Sequence, residues 1–339
     1  PAVFAMISAG QTVGVFQFES PGMKRLLIQS RPESIEDLIA VISLFRPGPM
    51  SFIPTYVENR HHPERVRYRH PKLAGILGVT YGCVIYQEQV MQICRELAGY
   101  SLGRADVVRR AMSKKKADVM ERERQIFIYG LTREDGTVEV DGCIRRGVDE
   151  DTAKALWSEM ESFASYAFNK SHAAAYAYVA YQTAYLKQHY PREYMAALLT
   201  SVLGYSEKIM VYIEECSRLG IQLLPPDINR SNVGFAVEGR SLRFGLLAIK
   251  NLGKSAIERM IVEREEHGAF VSFYDFCERM TGKELNKRGI ESLIKCGAFD
   301  HLGNTRRELL ESYEALIDYI DQSNRRNIEG QMNLFAVSG

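Results

Sequence analysis

Residues 168–191, FNKSHAAAYAYVAYQTAYLKQHYP, set four hydrogen-bond donors side by side, Asn169, Lys170, Ser171 and His172, directly ahead of an alanine- and tyrosine-rich helical pattern. Ala173, Ala177, Ala180 and Ala184 fall on one helical stripe, and Tyr178, Tyr181 and Tyr185 on another. A stripe of small residues lets a neighbouring helix approach closely, while tyrosines bring apolar area with a polar tip. Donors gathered at a helix start suit an anion, because free backbone N–H groups and the helix dipole reinforce the side-chain charge. A buried helix with a polar cap accounts for the same residues equally well.

The densest charge lies in residues 104–124, with eight basic residues against four acidic ones. On a helix Arg109 and Lys116 share one face, and Arg110 and Lys114 a neighbouring one. Two such faces could serve two anions, for example a triphosphate and a nucleic-acid backbone. A solvated surface helix is the competing reading, and taken alone the run favours it. Residues 249–257, IKNLGKSAI, read as a helix-hairpin-helix turn, in which Lys250, Asn251, Gly253 and Lys254 would meet a DNA phosphate. Asn251 stands where such turns carry glycine, and asparagine tolerates the left-handed backbone required there. A plain helical hairpin is the alternative. Near the end of the chain, Gln331, Leu334 and Phe335 combine an apolar anchor with one amide to fix register, the design of a short docking peptide.

Two groups are set aside. His61, His62 and His70 are spaced too irregularly for a metal site, and Asp149-Glu150-Asp151 sits where a helix start favours negative charge. No metal ligands and no catalytic constellation are assigned to this chain.

The elements that must position these residues are mostly helical. Residues 86–97 read as a helix with Val90, Ile93 and Leu97 inward, and residues 100–129 as a charged helical stretch. Residues 132–147 read as a loop or small hairpin around Glu134-Asp135-Gly136. A helix capped by Asp149 or Asp151 follows, with Leu156, Met160, Phe163 and Ala167 as its core stripe. Two further helices lie within 192–219. A β-hairpin is expected around Glu238-Gly239-Arg240, and short helices fill 248–300. A longer helix is expected over 305–321, then a polar, flexible segment over 322–330. The fold class is therefore mainly α, a multi-helix domain with a small β-hairpin followed by a tandem helix-hairpin-helix module whose second half lies in 285–299.

Composition places the chain among ordinary globular proteins. It is 339 residues long, 46% hydrophobic and 25% charged, with a formal net charge of +1, so any nucleic-acid surface must be local. Cysteines 83, 94, 143, 216, 277 and 296 form no CxxC pair and read as reduced core residues of an intracellular protein. No apolar run approaches a membrane span and no signal peptide is recognised. The apolar pattern already under way at Pro1 suggests a piece of a longer chain.

Taken together, GVFQFES (14–20), LFRPGP (44–49), TYGCVIYQEQVMQI (80–93), VVRRAMSKKK (107–116), FNKSHAAAYAYVAYQTAYLK (168–187), LLPPDIN (223–229), IKNLG (249–253) and LNKRGIESLIKCGAFD (285–300) resemble the alpha subunit of bacterial DNA polymerase III, a C-family replicative polymerase. The resemblance runs nearly end to end. It implies a fingers domain over 1–228, a hairpin connector over 229–247, a tandem helix-hairpin-helix module over 248–305, and a helix with a clamp-binding tail over 306–339. It implies incoming-nucleotide contacts from Arg109, Arg110, Asn169, Lys170, Ser171, His172 and Arg46, with His172 near the ribose. Lys114, Lys115 and Lys116, with the hairpin residues, would bind DNA, and Gln331, Leu334 and Phe335 would dock on the sliding clamp, the beta subunit. The catalytic aspartates and their Mg²⁺ would belong to a palm domain outside this chain, which alone would be inactive. Primer–template DNA, the incoming nucleotide, the clamp and other replicase subunits would be partners, in the cytoplasm. A non-catalytic DNA- and clamp-binding module is the alternative, as is a helix-hairpin-helix repair enzyme using Lys254 and Asp275.

Overall fold

Ser20 and Ser34 each begin a helix by accepting a backbone N–H, from Met23 and Asp37 respectively, and Asp37 returns the bond to Ser34 in a reciprocal capping box. Both lie in the first of two compact units, Pro1–Gln188 and His189–Gly339, into which packing divides the chain in the computed structural model. Residues 1–113, 117–164, 166–280 and 285–336 are described.

The first unit begins with α1 (Ala2–Ser8), α2 (Pro21–Ser30), α3 (Ile35–Leu44) and α4 (Ile53–His61). It continues through α5 (Leu73–Leu77), α6 (Gln87–Ala98), α7 (Leu102–Ser113) and α8 (Ala117–Tyr129). Strands β1 (Leu131–Thr132) and β2 (Val138–Val140) then pair antiparallel around Glu134-Asp135-Gly136, making the small hairpin. Helices α9 (Gly142–Arg145), α10 (Glu150–Ala164) and α11 (Lys170–His189) follow.

Two apolar clusters hold this unit. One gathers α1 to α4 and the alanine face of α11 around Phe18, Leu27, Leu38 and Tyr56. The other gathers α5 to α10 around Leu97, Val108, Phe127 and Trp157. Ala173, Ala177, Ala180 and Ala184 are fully buried, as a close-packing stripe requires. The tyrosines divide. Tyr181 packs its ring 5.2 Å from Phe4, whereas Tyr178 and Tyr185 are exposed.

Helix α6 buries Val90, Ile93 and Leu97 and stops at Gly99, whose φ of 76° suits a left-handed cap. Asp149, rather than Asp151, begins α10 by accepting the Thr152 N–H at 2.9 Å. Leu156 and Met160 are buried. The Phe163 side chain lies outside the described residues, and Ala167 lies beyond the helix end, where the chain has turned toward α6.

The second unit contains α12 (Pro191–Ser201), α13 (Ser206–Arg218), β3 (Leu223–Leu224), β4 (Ala236–Glu238) and β5 (Ser241–Arg243). Strands β4 and β5 form the expected hairpin, and β3 adds in parallel to the other edge of β5. Arg243 locks the arrangement. Its Nε and Nη2 each donate to the Glu238 carboxylate at 2.8 Å, and its Nη1 donates to the Pro225 carbonyl. Four helices complete the unit: α14 (Lys254–His267), α15 (Phe273–Met280), α16 (Lys287–Lys295) and α17 (Arg306–Ala336). They close over Ile257, Phe276, Leu293 and Phe299. Helix α17 continues through 322–330, where the polar composition suggested a flexible segment. That stretch contains no proline to stop a helix.

Candidate functional site

The segments carrying the sequence-predicted cations meet where α6 and α11 begin. The Phe168 N–H donates to the Ile85 carbonyl at 3.0 Å, and the Gln87 N–H donates to the Phe168 carbonyl at 2.9 Å, a one-residue parallel bridge. The Gln87 side chain extends the link in both directions. Its Nε2 donates to the Ala167 carbonyl at 3.2 Å, and its Oε1 accepts from Arg109 Nη1 at 3.0 Å. One glutamine thus ties α7 to the start of α11.

Glu88, the next residue, occupies the start of α11 itself. Its carboxylate accepts the Lys170 N–H at 3.0 and 3.2 Å and the Asn169 Nδ2 at 3.2 Å, across 82 and 81 residues of chain. Asn169 Oδ1 accepts the His172 N–H at 2.9 Å. The expectation of free backbone donors at this helix start is therefore corrected: a carboxylate and an asparagine already satisfy the Lys170 and His172 N–H groups, in the manner of N-caps. Ser171 and His172 are exposed. The His172 ring lies 5.4 Å from Phe168 and 4.5 Å from Tyr176, which gives the imidazole a defined aromatic seat. Lys170 Nζ pairs with Glu36 of α3 at 2.9 Å and sits 5.3 Å from the centre of the Tyr86 ring.

Arg109 and Arg110 converge. Both approach the Asp106 carboxylate, at 2.7 Å each, so two guanidinium groups flank a single anion. Hydrogen bonding from Arg109, with its charge and that of Arg110, holds the Asp106 carboxyl below the usual range against the opposing effect of desolvation. The separate basic faces expected from helical spacing are not tested, because Lys114, Lys115 and Lys116 lie outside the described residues. Arg46 joins the group from the Arg-Pro-Gly-Pro turn. Its guanidinium lies 4.1 Å from the centre of the Phe168 ring and donates to the carbonyls of Tyr166 and Ser43. Partial burial pulls its pKa down.

Sequence reasoning did not single out Gln87, Glu88, Glu36 or Asp106 in these roles. The YQEQ run lies in a recognised block, but nothing in its spacing names the partners of its polar side chains.

In the second unit Asn251 has φ of 64°, the left-handed conformation expected of it. Its Nδ2 donates to Ser292 of α16 at 3.0 Å. Gly253 is the N-cap of α14, and Lys254 stands at the first turn with its Nζ 3.6 Å from Glu258. Helix α16 packs on this turn through Gly289, where a Cβ would meet Leu252, Leu285 and the Asn251 carbonyl at 3.1–3.2 Å. The 249–254 turn and α16 are therefore in direct contact. Asp275, which a repair enzyme would need for catalysis, instead accepts the Val271 N–H at 3.0 Å and pairs with Arg279. Of the tail, the backbone of 331–335 lies within α17, and the side chains of Gln331, Leu334 and Phe335 lie outside what is described.

Among the described residues no group of three His, Cys, Asp or Glu is arranged to hold a metal. The carboxylates beside the cations do not suit Mg²⁺ either, since Glu36, Glu88 and Asp106 are each engaged by Lys170, the α11 start or the arginine pair. No described helix is long and apolar enough to cross a membrane.

The first unit is mainly helical and carries the cationic junction, and the second carries the Asn251–Lys254 turn. Residues 1–135 match the family model of the bacterial DNA polymerase III alpha subunit finger domain, and residues 220–309 match a helix-hairpin-helix motif. The chain is 46% identical over 99% of its length to a DNA polymerase III subunit alpha of Thermus aquaticus. It is 43% identical over 98% of its length to that of Borreliella burgdorferi, and 42% over 94% to that of Bacillus subtilis. It belongs to the family of bacterial DNA polymerase III alpha subunits. The chain spans 27–28% of the length of these relatives.

Proposed function

We propose that this chain supplies the nucleotide-gripping and DNA-holding part of a DNA-directed DNA polymerase. Arg109 and Arg110 bind the triphosphate of the incoming nucleotide. Lys170 and Arg46 add charge from the α11 start and the Arg-Pro-Gly-Pro turn, and Asn169, Ser171 and His172 line the sugar and phosphates. The observation that carries this reading is the Gln87 tie, which holds Arg109 to the Phe168 bridge and brings one basic helix beside the FNKSH start. Asp106, flanked by both guanidinium groups, has the position a phosphate would take between them.

The reaction proposed for the whole protein is in-line attack of a primer 3′-hydroxyl on the triphosphate. The residues here orient the triphosphate and offset charge as it develops on the leaving pyrophosphate. Mg²⁺, when bound, would neutralise further charge, and aspartates outside this chain are its proposed ligands. The Asn251–Lys254 turn, with Lys250, holds a DNA phosphate through backbone N–H groups. Gln331, Leu334 and Phe335 dock on a sliding clamp, and the assembly works in the cytoplasm with other replicase subunits.

The test is single-nucleotide insertion by the full-length protein. Arg109→Ala is expected to raise KM for the nucleotide about tenfold or more, the loss of a charge-assisted phosphate contact, and Gln87→Ala to raise it less in the same direction. An unchanged kcat/KM for Arg109→Ala would refute the assignment. His172→Ala is expected to increase ribonucleotide insertion, and an unchanged rate would remove His172 from sugar selection.

A further inference from the structure

Beside α4 and α5 the first unit carries a cleft of about 460 Å³ that neither the triphosphate site nor the helix-hairpin-helix turn uses. Phe52, Leu73 and Leu77 form its apolar wall, and Arg67, Tyr68 and Arg69 its rim. Its floor is Gly82, with φ of 83°. A Cβ there would lie 2.8 Å from Val66 Cγ1 and 3.9 Å from the Tyr68 ring, so only glycine lets the rim segment settle this close. Tyr81, one residue earlier, is also left-handed, with φ of 52°, an unfavourable conformation for a bulky residue. Asn59 Nδ2 braces it by donating to the Tyr81 carbonyl at 2.8 Å.

The rim is built by alternation. Along 65–70, Arg65, Arg67 and Arg69 are exposed while Val66, Tyr68 and His70 are half-buried. Arg67 and Arg69 line the cleft beside Tyr68, and with Arg65, the last residue of the short 3-10 turn Pro63–Arg65, they form a cationic rail along the aromatic slot. Residues 58–72 hold five Arg or Lys against two Glu. Several of these charges are committed: Arg60 to Asp37, Arg65 to Glu58, and Arg69 to Glu159 at 2.6 Å. Arg67 donates to the Glu64 carbonyl and has no carboxylate partner among the described residues.

We propose that this cleft takes one unstacked nucleotide of a single-stranded nucleic acid, with the base against Tyr68 and Phe52 and the flanking phosphates on Arg67 and Arg69. Aromatic stacking beside a cationic track is the chemistry by which single strands are held without regard to sequence. A duplex keeps its bases stacked and cannot fill the slot. A free nucleotide fills the slot but leaves most of the rail unused. Glu159 competes with phosphate for Arg69, so binding exchanges the Arg69–Glu159 pair for an Arg69–phosphate pair. This site is separate from the proposed triphosphate contacts and does not depend on them.

The experiment is fluorescence anisotropy of a labelled 20-nucleotide oligo(dT) with the full-length protein over a salt series. Tyr68→Ala is expected to weaken binding about tenfold. Arg67→Gln, an exposed change that leaves packing intact, is expected to weaken it several-fold and reduce the salt slope by about 0.7. Glu159→Gln is expected to strengthen it. Single-nucleotide insertion opposite a one-nucleotide template overhang should stay at the wild-type kcat/KM in Arg67→Gln. Unchanged oligo(dT) affinity in Arg67→Gln and Tyr68→Ala would overturn the proposal. So would weakened binding in Glu159→Gln, or displacement of the oligonucleotide by equimolar dTMP or duplex.

Discussion

Removing the Asp37 carboxylate should destabilise the first unit severely. Asp37 and Arg60 are both nearly inaccessible, at 5% and 8% side-chain exposure. The Asp37 carboxylate accepts the Glu33 N–H at 2.9 Å, the Ser34 N–H at 3.1 Å and the Ser34 hydroxyl at 3.0 Å. Arg60 donates to both of its oxygens, at 3.3 and 3.1 Å, and the Tyr81 hydroxyl donates at 3.1 Å. Asp37→Ala strips α3 of its capping box and strands a buried guanidinium. Breaking one side of a buried pair costs about 3–5 kcal/mol, a large share of the 5–15 kcal/mol typical of a folded domain. Arg60→Met added to Asp37→Ala should recover part of the loss, because no charge is then left unpaired.

Burial alone would raise the Asp37 pKa, but the Arg60 hydrogen bond and charge, with the Glu33 and Ser34 donors, hold it below its ordinary value. The native pKa is thus the lower one. The stabilisation is fully present above the unfolded pKa of about 3.9 and is lost as pH falls through the native value. The assay is urea unfolding followed by the fluorescence of Trp157, the single tryptophan, which is buried in the same unit. A loss below about 1 kcal/mol in Asp37→Ala, or a double variant less stable than the single one, would refute the reasoning.

Three further outcomes are expected. Ala180→Leu should destabilise the first unit by about 1–3 kcal/mol through overpacking of the buried stripe, measured by the same urea titration, whereas Tyr178→Ala on the exposed face should change stability little. Asn251→Val should cost at least about 1 kcal/mol, because a β-branched residue resists the left-handed backbone. Asn251→Gly should be nearly neutral, and a thermal melt in which both behave alike would contradict this. Combined Leu334→Ala and Phe335→Ala should abolish clamp retention in a pull-down while clamp-free primer extension survives; retained clamp affinity would remove the tail from docking.

The chain's local rules are legible residue by residue. The alanine period requires a buried close-packing face whatever lies opposite, and the structure buries all four alanines. A left-handed position at Asn251 and the β4–β5 hairpin follow from backbone sterics within a few residues. The charge clusters were different. Residue types in 104–124 and 168–172 establish that cations are present, but they do not say what each cation meets. Only the folded chain brings Glu88 to Lys170, Gln87 to Arg109 and Asp37 to Arg60, and adds β3 to β5 in parallel. A Coulomb or hydrogen-bond partner is selected by proximity in space, which chain return decides and sequence spacing does not encode. Hence the helix bearing FNKSH could be read from its own residues, while the carboxylate that caps it and the glutamine that joins it to the arginines belong to the tertiary structure alone.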